Sequence, residues 1–291
     1  MKLSALATLN CVIRKGSFAA AAEERGLTPS AVSQQMHQLE LYFGQPLFDR
    51  SLRTVSPTPF AHEVVASVAD TLQSLDALRD RRSPSISGRV RLGVVNSVQV
   101  STLPACLLHA RQNFPDLDIQ LMIDTSAPLL HALRAGSIDV AIVVRPESGG
   151  SSRLEWFDLR RESFVMLAPA AALAWPAARI AQTLEWVRYT TATTGGRIAA
   201  QFVKKLAPNR KPALELQSTD AIVAMVAGGL GFTVLPRPRE ALLRGYAVRE
   251  IGLGKRAPER TVSFACRRGE AESRRVAAVL KCVRVAYDAA A

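Results

Sequence analysis

Apolar residues Leu3, Leu6, Leu9, Val12 and Ile13 recur at helical spacing, and Gly16 stands where a left-handed stop is needed. Ser17 is a natural N-cap for a second, short helix that carries Ala19, Ala20, Ala21 and Ala22 and ends near Gly26. A third helix starts at Thr28, whose side-chain oxygen can cap it, with Pro29 at the first helical position where a missing N–H costs nothing. Within it Val32, Met36, Leu39 and Phe43 form one apolar stripe, while Ser30, Ser33, Gln34 and His37 point the other way. Two helices joined by so tight a turn must approach closely, so the alanines are expected to line their contact. The pattern predicts a helix-turn-helix whose last helix keeps its far face for something outside the protein.

Beyond it, "LFDRSLRTVSPTPFA" sets Arg50 and Arg53 around a turn-like segment with Thr54 and Val55, readable as a small wing. From Thr58 to about Arg82, Phe60, Val64, Val68, Leu72, Leu75 and Leu78 form a seam on a helix of roughly 37 Å. A long helix with one apolar stripe needs a partner, and pairing with a second copy is the economical expectation, packing against its own globular part the alternative. "RRSPSISG", residues 81–88, has linker composition. The pattern then changes to "RVRLGVV", a helix near 101–113, "DIQLMID", a helix near 127–135 ended by Gly136, and "IDVAIVV". That βαβαβ run implies parallel strands. Further strands are predicted at "SFVMLA", "WVRYTT", "ALELQ", "GFTVLP" and "TVSFAC", and a last helix over Glu270 to Tyr287. Two α/β lobes fit the length.

The net charge of +12 over 291 residues suggests a polyanionic partner until it is divided. Residues 1–82 carry 9 basic against 8 acidic side chains, and residues 83–291 carry 28 against 17. Bulk charge therefore does not locate a nucleic-acid site, and the C-terminal excess is read first as a solvated, Arg-rich surface. The start "MKLSALATLNC" imitates a lipoprotein signal, but its apolar stretch is short and broken and Arg14 and Lys15 follow at once, so no signal is expected. No run of 18 apolar residues occurs to span a bilayer. Cys11, Cys106, Cys266 and Cys282 are scattered without metal-site spacing and read as buried thiols. GxSxG, HExxH, Walker A and GxGxxG motifs are absent, so neither an enzyme nor a cofactor or metal is expected.

Residues 1 to about 60, with GSF, an Ala-rich helix, "TPSAVSQQMHQLE" and "GQPLFDR" in order, closely resemble the winged helix-turn-helix of LysR-type transcriptional regulators. "STDAIVAMVAGGLGFTVLP" is similar to the second-lobe segment of that family's effector domain. One departure is visible: "SPTPFA", with Pro59 and Phe60, stands where the family runs into a Thr-x-x-Gly helix start, which predicts an altered entry angle. The resemblance implies an α/β fold with an N-terminal all-α winged helix-turn-helix (residues 1–58), a linker and dimerisation helix with hinge (59–87), and a two-lobed, periplasmic-binding-protein-like effector domain (88–291). Lobe I would hold about 88–160 and 265–291, and lobe II about 161–264.

The expected DNA-contacting residues are Ser17, Phe18, Thr28, Pro29, Ser30, Ala31, Ser33, Gln34, Gln35, Gln38, Arg50, Arg53 and Thr54. In the major groove Gln34 suits an adenine edge and Ala31 a thymine methyl, while Thr28, Ser30 and Ser33 suit phosphates or bases. Arg50 and Arg53 suit phosphate or a narrow minor groove. Ser17 serves equally as a cap. Parallel lobes place ligand groups at strand ends and the following helix starts. Those are Asn96, Ser97, Val98, Thr125, Ser126 and Arg145, faced by Thr191, Thr193 and Thr194, and hydroxyls with helix starts suit an anion. Implied partners are double-stranded promoter DNA, a small-molecule effector, a second copy through the linker helix, a homotetramer and RNA polymerase, in the cytoplasm and away from membranes. The alternatives are a ligand-independent DNA-binding repressor and an exported solute-binding protein. Redox-sensing members place a cysteine pair in lobe II, and residues 161–264 contain none.

Overall fold

The computed structural model describes residues 3–49, 56–68, 85–146, 152–172, 175–254 and 257–289. The head begins with α1 (Leu3–Lys15), α2 (Phe18–Arg25) and α3 (Pro29–Phe43). Their ends follow from local chemistry. Ser17 Oγ accepts the Ala20 N–H at 3.1 Å, and Thr28 Oγ1 accepts the Ala31 N–H at 3.2 Å. Between them Gly26 turns at φ 62°, donating back to α2 carbonyls in a conformation only glycine adopts cheaply. Leu6, Leu9, Val12, Val32, Met36 and Leu39 close one core around Ala21 and Ala22. Ala19 faces solvent, so two of the four alanines, not all, make the close contact.

A two-residue antiparallel pair, β1 (Phe48–Asp49) with β2 (Ser56–Pro57), closes the base of the expected wing; Arg50, Arg53 and Thr54 lie outside the described residues. Helix α4 follows over residues 59–68, and its Ala61, Val64 and Val65 are buried in the head core, with Phe60 and Val68 packed beside them. The first turns of the seam expected to pair with another copy are thus used by the head itself. Leu72, Leu75 and Leu78 lie outside the described residues.

The remaining chain starts with β3 (Gly88–Val95), α5 (Asn96–Gln99), α6 (Leu103–Asn113), β4 (Leu117–Asp124), α7 (Ser126–Arg134) and β5 (Val140–Val144). β3 pairs in parallel with both β4 and β5, as the βαβαβ pattern requires. Next come β6 (Leu154–Pro169), α8 (Ala177–Thr183), β7 (Trp186–Tyr189), α9 (Thr194–Leu206), β8 (Pro212–Leu216), α10 (Thr219–Ala227) and β9 (Thr233–Pro236). The chain ends with α11 (Glu240–Leu243), β10 (Val248–Gly252), β11 (Glu259–Arg267) and α12 (Arg274–Asp288).

β6 is the member that joins the lobes. Its first half, Leu154 to Ser163, runs antiparallel to β11, which in turn pairs with β5. Its second half, from Phe164, pairs with β9 and β10 instead. The hydrophobic pattern predicted only the "SFVMLA" half, because that half is buried on both faces while "LEWFDLRRE" is half-exposed and polar at alternate positions. β10, a polar edge strand, had no such signal either. One core lies around β3, β5, β11 and α12, and two smaller cores flank the second sheet.

Candidate nucleic-acid interface and inter-lobe pocket

Helix α3 is held from below by Val32, Met36 and Leu39, all essentially inaccessible to solvent. That burial fixes its rotation, so Pro29, Ser30, Ser33, Gln34 and Gln38 are exposed together and Ala31 half so. Thr28 Oγ1 lies 3.0 Å from Ser30 Oγ, so the first turn carries a short chain of hydroxyls beside its capped N–H groups. Two expected contacts are placed elsewhere. The Phe18 ring packs edge-on against Phe48, 5.1 Å between centroids, and belongs to the head core. Gln35 is half-buried, with Oε1 enclosed and away from the exposed face. Ser17 is exposed while serving as the α2 cap.

Two residues that the sequence reading passed over hold this face in place. Glu40 Oε1 accepts the N–H groups of Leu47 and Phe48 at 3.0 and 3.3 Å, anchoring the entry to β1 onto α3. Glu24, on α2, accepts from Arg14 and Lys15 on α1; burial opposes ionisation, yet those two cations hold its carboxyl down at about 2. Their signal was present only as acidic residues amid a helical pattern, which says nothing about tertiary partners.

In the lobes, Asn96, Ser97, Thr125, Ser126, Thr193 and Thr194 surround one small pocket, brought together from the starts of α5, α7 and α9. Its free volume is about 20 Å³, room for about one water. Thr193 caps α9, accepting the Gly196 N–H at 2.9 Å, and Ser126 Oγ accepts the Val144 N–H at 3.1 Å. Asp124 Oδ1 takes the Thr125 N–H at 2.6 Å, so α7 already has an anionic group at its start.

Three expected ligand residues are placed elsewhere. Val98 is buried in the lobe I core, because position 98 of the short α5 turns inward. Arg145 is engaged by Asp158 at 2.8 Å and lies over the Trp156 ring at 5.5 Å, outside the pocket wall. Thr191 gives its N–H to Glu215 Oε1 at 3.3 Å and its carbonyl to Arg197, on the edge of β7 and β8.

The residue that dominates the pocket was not foreseen. Arg260, on β11 opposite Glu162 of β6, donates to Glu162 Oε2 at 2.7 Å and to Ser97 Oγ at 3.1 Å. Its side chain is 4% exposed. Burial opposes the charge, but Glu162 outweighs it and raises the guanidinium's pKa. Gly195 is required at its side: a Cβ there would meet an Arg260 nitrogen at 2.9 Å. On the other side of this pair opens a larger cleft of about 1360 Å³, sharing Asn96, Ser97, Tyr189, Gln217 and Arg260 with the small pocket.

The four cysteines are buried free thiols, and burial pushes Cys106 and Cys266 up to about 12. No cluster of potential metal ligands occurs among the described residues, and no described helix is long and apolar enough to cross a membrane.

Comparison with known proteins matches residues 3–62 to the bacterial regulatory helix-turn-helix protein, lysR family, and residues 84–287 to the LysR substrate binding domain. The CbbR regulator of Rhizobium meliloti is 31% identical over 244 residues, covering 79% of this chain and 75% of that protein. The IlvY regulator of Escherichia coli K12 is 28% identical over 244 residues, covering 81% and 82%. Among solved structures, a full-length OxyR variant from Pseudomonas aeruginosa superposes with a TM-score of 0.80 at 21% identity, covering 98% of this chain and 95% of that one. Full-length LysG from Corynebacterium glutamicum with bound effector Arg gives 0.67 at 20% identity, covering 99% of both. At such identities the structural likeness establishes the fold alone.

Proposed function

Since the chain belongs to the LysR family of transcriptional regulators, with an N-terminal DNA-binding head and a two-lobed effector-binding domain, we propose that α3 reads promoter DNA in the major groove and that the lobes answer to a small polar effector, anionic in part. The observation that carries the first half is the rotation of α3. Burial of Val32, Met36 and Leu39 leaves Ser30, Ser33, Gln34 and Gln38 on one outward face behind a capped N-terminal turn. Gln34 is the base reader and suits an adenine edge, whereas Thr28, Ser30 and Ser33 set the helix on phosphates. Arg50, Arg53 and Thr54 are proposed as wing contacts from the sequence alone.

For the effector, Ser97, Thr125, Ser126, Thr193 and Thr194 supply hydroxyls and α9 supplies its positive end. The pocket is too small for a metabolite, so binding requires the lobes to part at the Arg260–Ser97 hydrogen bond. A ligand held only in the parted form shifts the equilibrium toward it. Self-association is supported by apolar side chains on open sheet edges: Leu121 and Met122 are exposed on β4, at one end of the lobe I sheet, and Leu214 on β8. A dimer doubles the phosphate contacts of a head whose formal charge is only +1 over residues 1–82. The linker-helix pairing, the homotetramer, contact with RNA polymerase and a cytoplasmic location complete the proposal and rest on the family relation.

Fluorescence anisotropy with duplexes from the region upstream of the protein's own reading frame tests the reading. Gln34→Ala is expected to weaken the tightest duplex by about tenfold, the worth of one bidentate base contact. An unchanged affinity and an unchanged ranking of duplexes would refute the role given to α3. A second reading, peroxide sensing as in the OxyR proteins, is disfavoured by thiols buried and pushed toward the neutral form.

A further inference from the structure

The larger cleft is walled by the start of α6, the middle of β6, the start of α10, residues 236–244 and the end of α12, so both lobes contribute. Three of the arginines lining it have carboxylate partners: Arg260 with Glu162, Arg237 with Glu250 and Arg244 with Glu240. Arg239 differs. It donates to Thr102 Oγ1 at 3.3 Å, and among the described residues no carboxylate lies within ion-pair distance of it. Burial and the nearby Arg160 guanidinium both push its pKa down, so two like charges are held close in a half-buried place.

Arg160 in turn lies over the Tyr287 ring at 5.5 Å and donates to the Tyr287 carbonyl at 3.1 Å. Tyr287 is buried, and its hydroxyl, beside Thr102, has no hydrogen-bond partner at bonding distance. No side chain caps α6 at Thr102, so the positive end of that eleven-residue helix faces the same spot. Four residues remote in sequence therefore present two guanidinium forks, an idle hydroxyl and a helix start at one point. The remaining acidic lining residue, Asp220, sits across the cleft in the first turn of α10.

We infer that Thr102, Arg160, Arg239 and Tyr287 form a second binding site, separate from the hydroxyl-lined pocket, for a small molecule bearing carboxylate or phosphate groups. Guanidinium forks match the paired oxygens of both groups. The cleft exceeds the few hundred Å³ of an ordinary small-molecule site, so it admits a multi-carbon polyanion. Arg239 stands at the start of α11 in the second lobe, and Thr102 and Tyr287 belong to the first, so a bound anion ties the lobes together on this side. Occupancy here opposes the parting that the small pocket requires.

The test is isothermal titration of the full chain with citrate and, separately, inorganic phosphate, against sodium chloride at matched ionic strength. Saturable binding of at least one polyanion is expected, weakened about tenfold or more in Arg239→Gln and restored in part by Arg239→Lys. Promoter binding in the anisotropy assay reports the fold of each variant and tests the DNA reading independently. If Arg239→Gln does not fold, Tyr287→Phe replaces it, since it removes the idle hydroxyl with little change of shape. No heat from either anion, equal binding in parent and variant, or weakening by Thr125→Val in place of Arg239→Gln overturns the assignment.

Discussion

Glu270 makes the stability of lobe I depend on pH in a direction opposite to that of most carboxylates. It sits just before α12 with its side chain 9% exposed. Burial, with Asp139 nearby, pushes its carboxyl up to about 7 from the ordinary 4.5, and Arg267 only partly offsets this. The Arg267 guanidinium is 2.7 Å away but misaligned for a hydrogen bond to it, since its other nitrogen is drawn to the carbonyls of Leu133 and Ile138. Asp139 is itself held by Arg91 at 2.6 Å. A carboxyl whose pKa is raised in the folded state favours folding below its unfolded value, and that advantage is lost as pH rises from about 4.5 toward about 7. With 1.36 kcal/mol per pKa unit, the loss between about pH 5.5 and about pH 8 is about 2 kcal/mol. Guanidinium unfolding followed by tryptophan fluorescence at those two pH values measures it, with Trp156 reporting from the lobe that holds Glu270. In Glu270→Gln this part of the pH slope should vanish, leaving the variant more stable than the parent above neutrality relative to below. An identical slope in both proteins would refute the argument that burial governs this group.

Two further outcomes follow from geometry alone. A Cβ on Gly196 would stand 1.8 Å from the Thr190 carbonyl oxygen, so Gly196→Ala must displace α9 from β7; thermal unfolding should show a loss of about 1–3 kcal/mol, with promoter binding by the head retained. Glu40→Ala leaves the Leu47 and Phe48 N–H groups without their acceptor, at a cost of about 1–3 kcal/mol and with weaker DNA binding. Glu40→Gln, which keeps an acceptor oxygen, should fall between the two in both assays.

How much of the site could be read in advance differs between the two halves of the chain. In the head nearly everything is local: Ser17 and Thr28 cap helices three residues ahead, and Val32, Met36 and Leu39 fix a face by their spacing. The misplaced residues there, Phe18 and Gln35, are ones whose direction depends on what packs against them, Phe48 in the first case. In the lobes the strand-end rule found Asn96, Ser97, Thr125, Ser126, Thr193 and Thr194, since a parallel sheet sends successive helix starts to one edge. It failed at Val98 and Arg145. A four-residue helix has no periodicity to say which side faces in, and an arginine is used by whichever carboxylate the fold brings nearest, here Asp158.

The sequence by itself determined the helix ends, the polar face of α3, the alternation of strands and helices, and the separation into a head and two lobes. All of these rest on interactions spanning a few residues, whose geometry the backbone period dictates. Tertiary structure alone decided that β6 runs through both lobes, that Arg260 meets Glu162 and Ser97, and that Thr102, Arg160, Arg239 and Tyr287 share one cleft wall. Arg239 and Thr102 are 137 positions apart, and no spacing rule reaches across such a loop. Only the strand order, set by burial of both sheets at once, brings such groups within bonding distance.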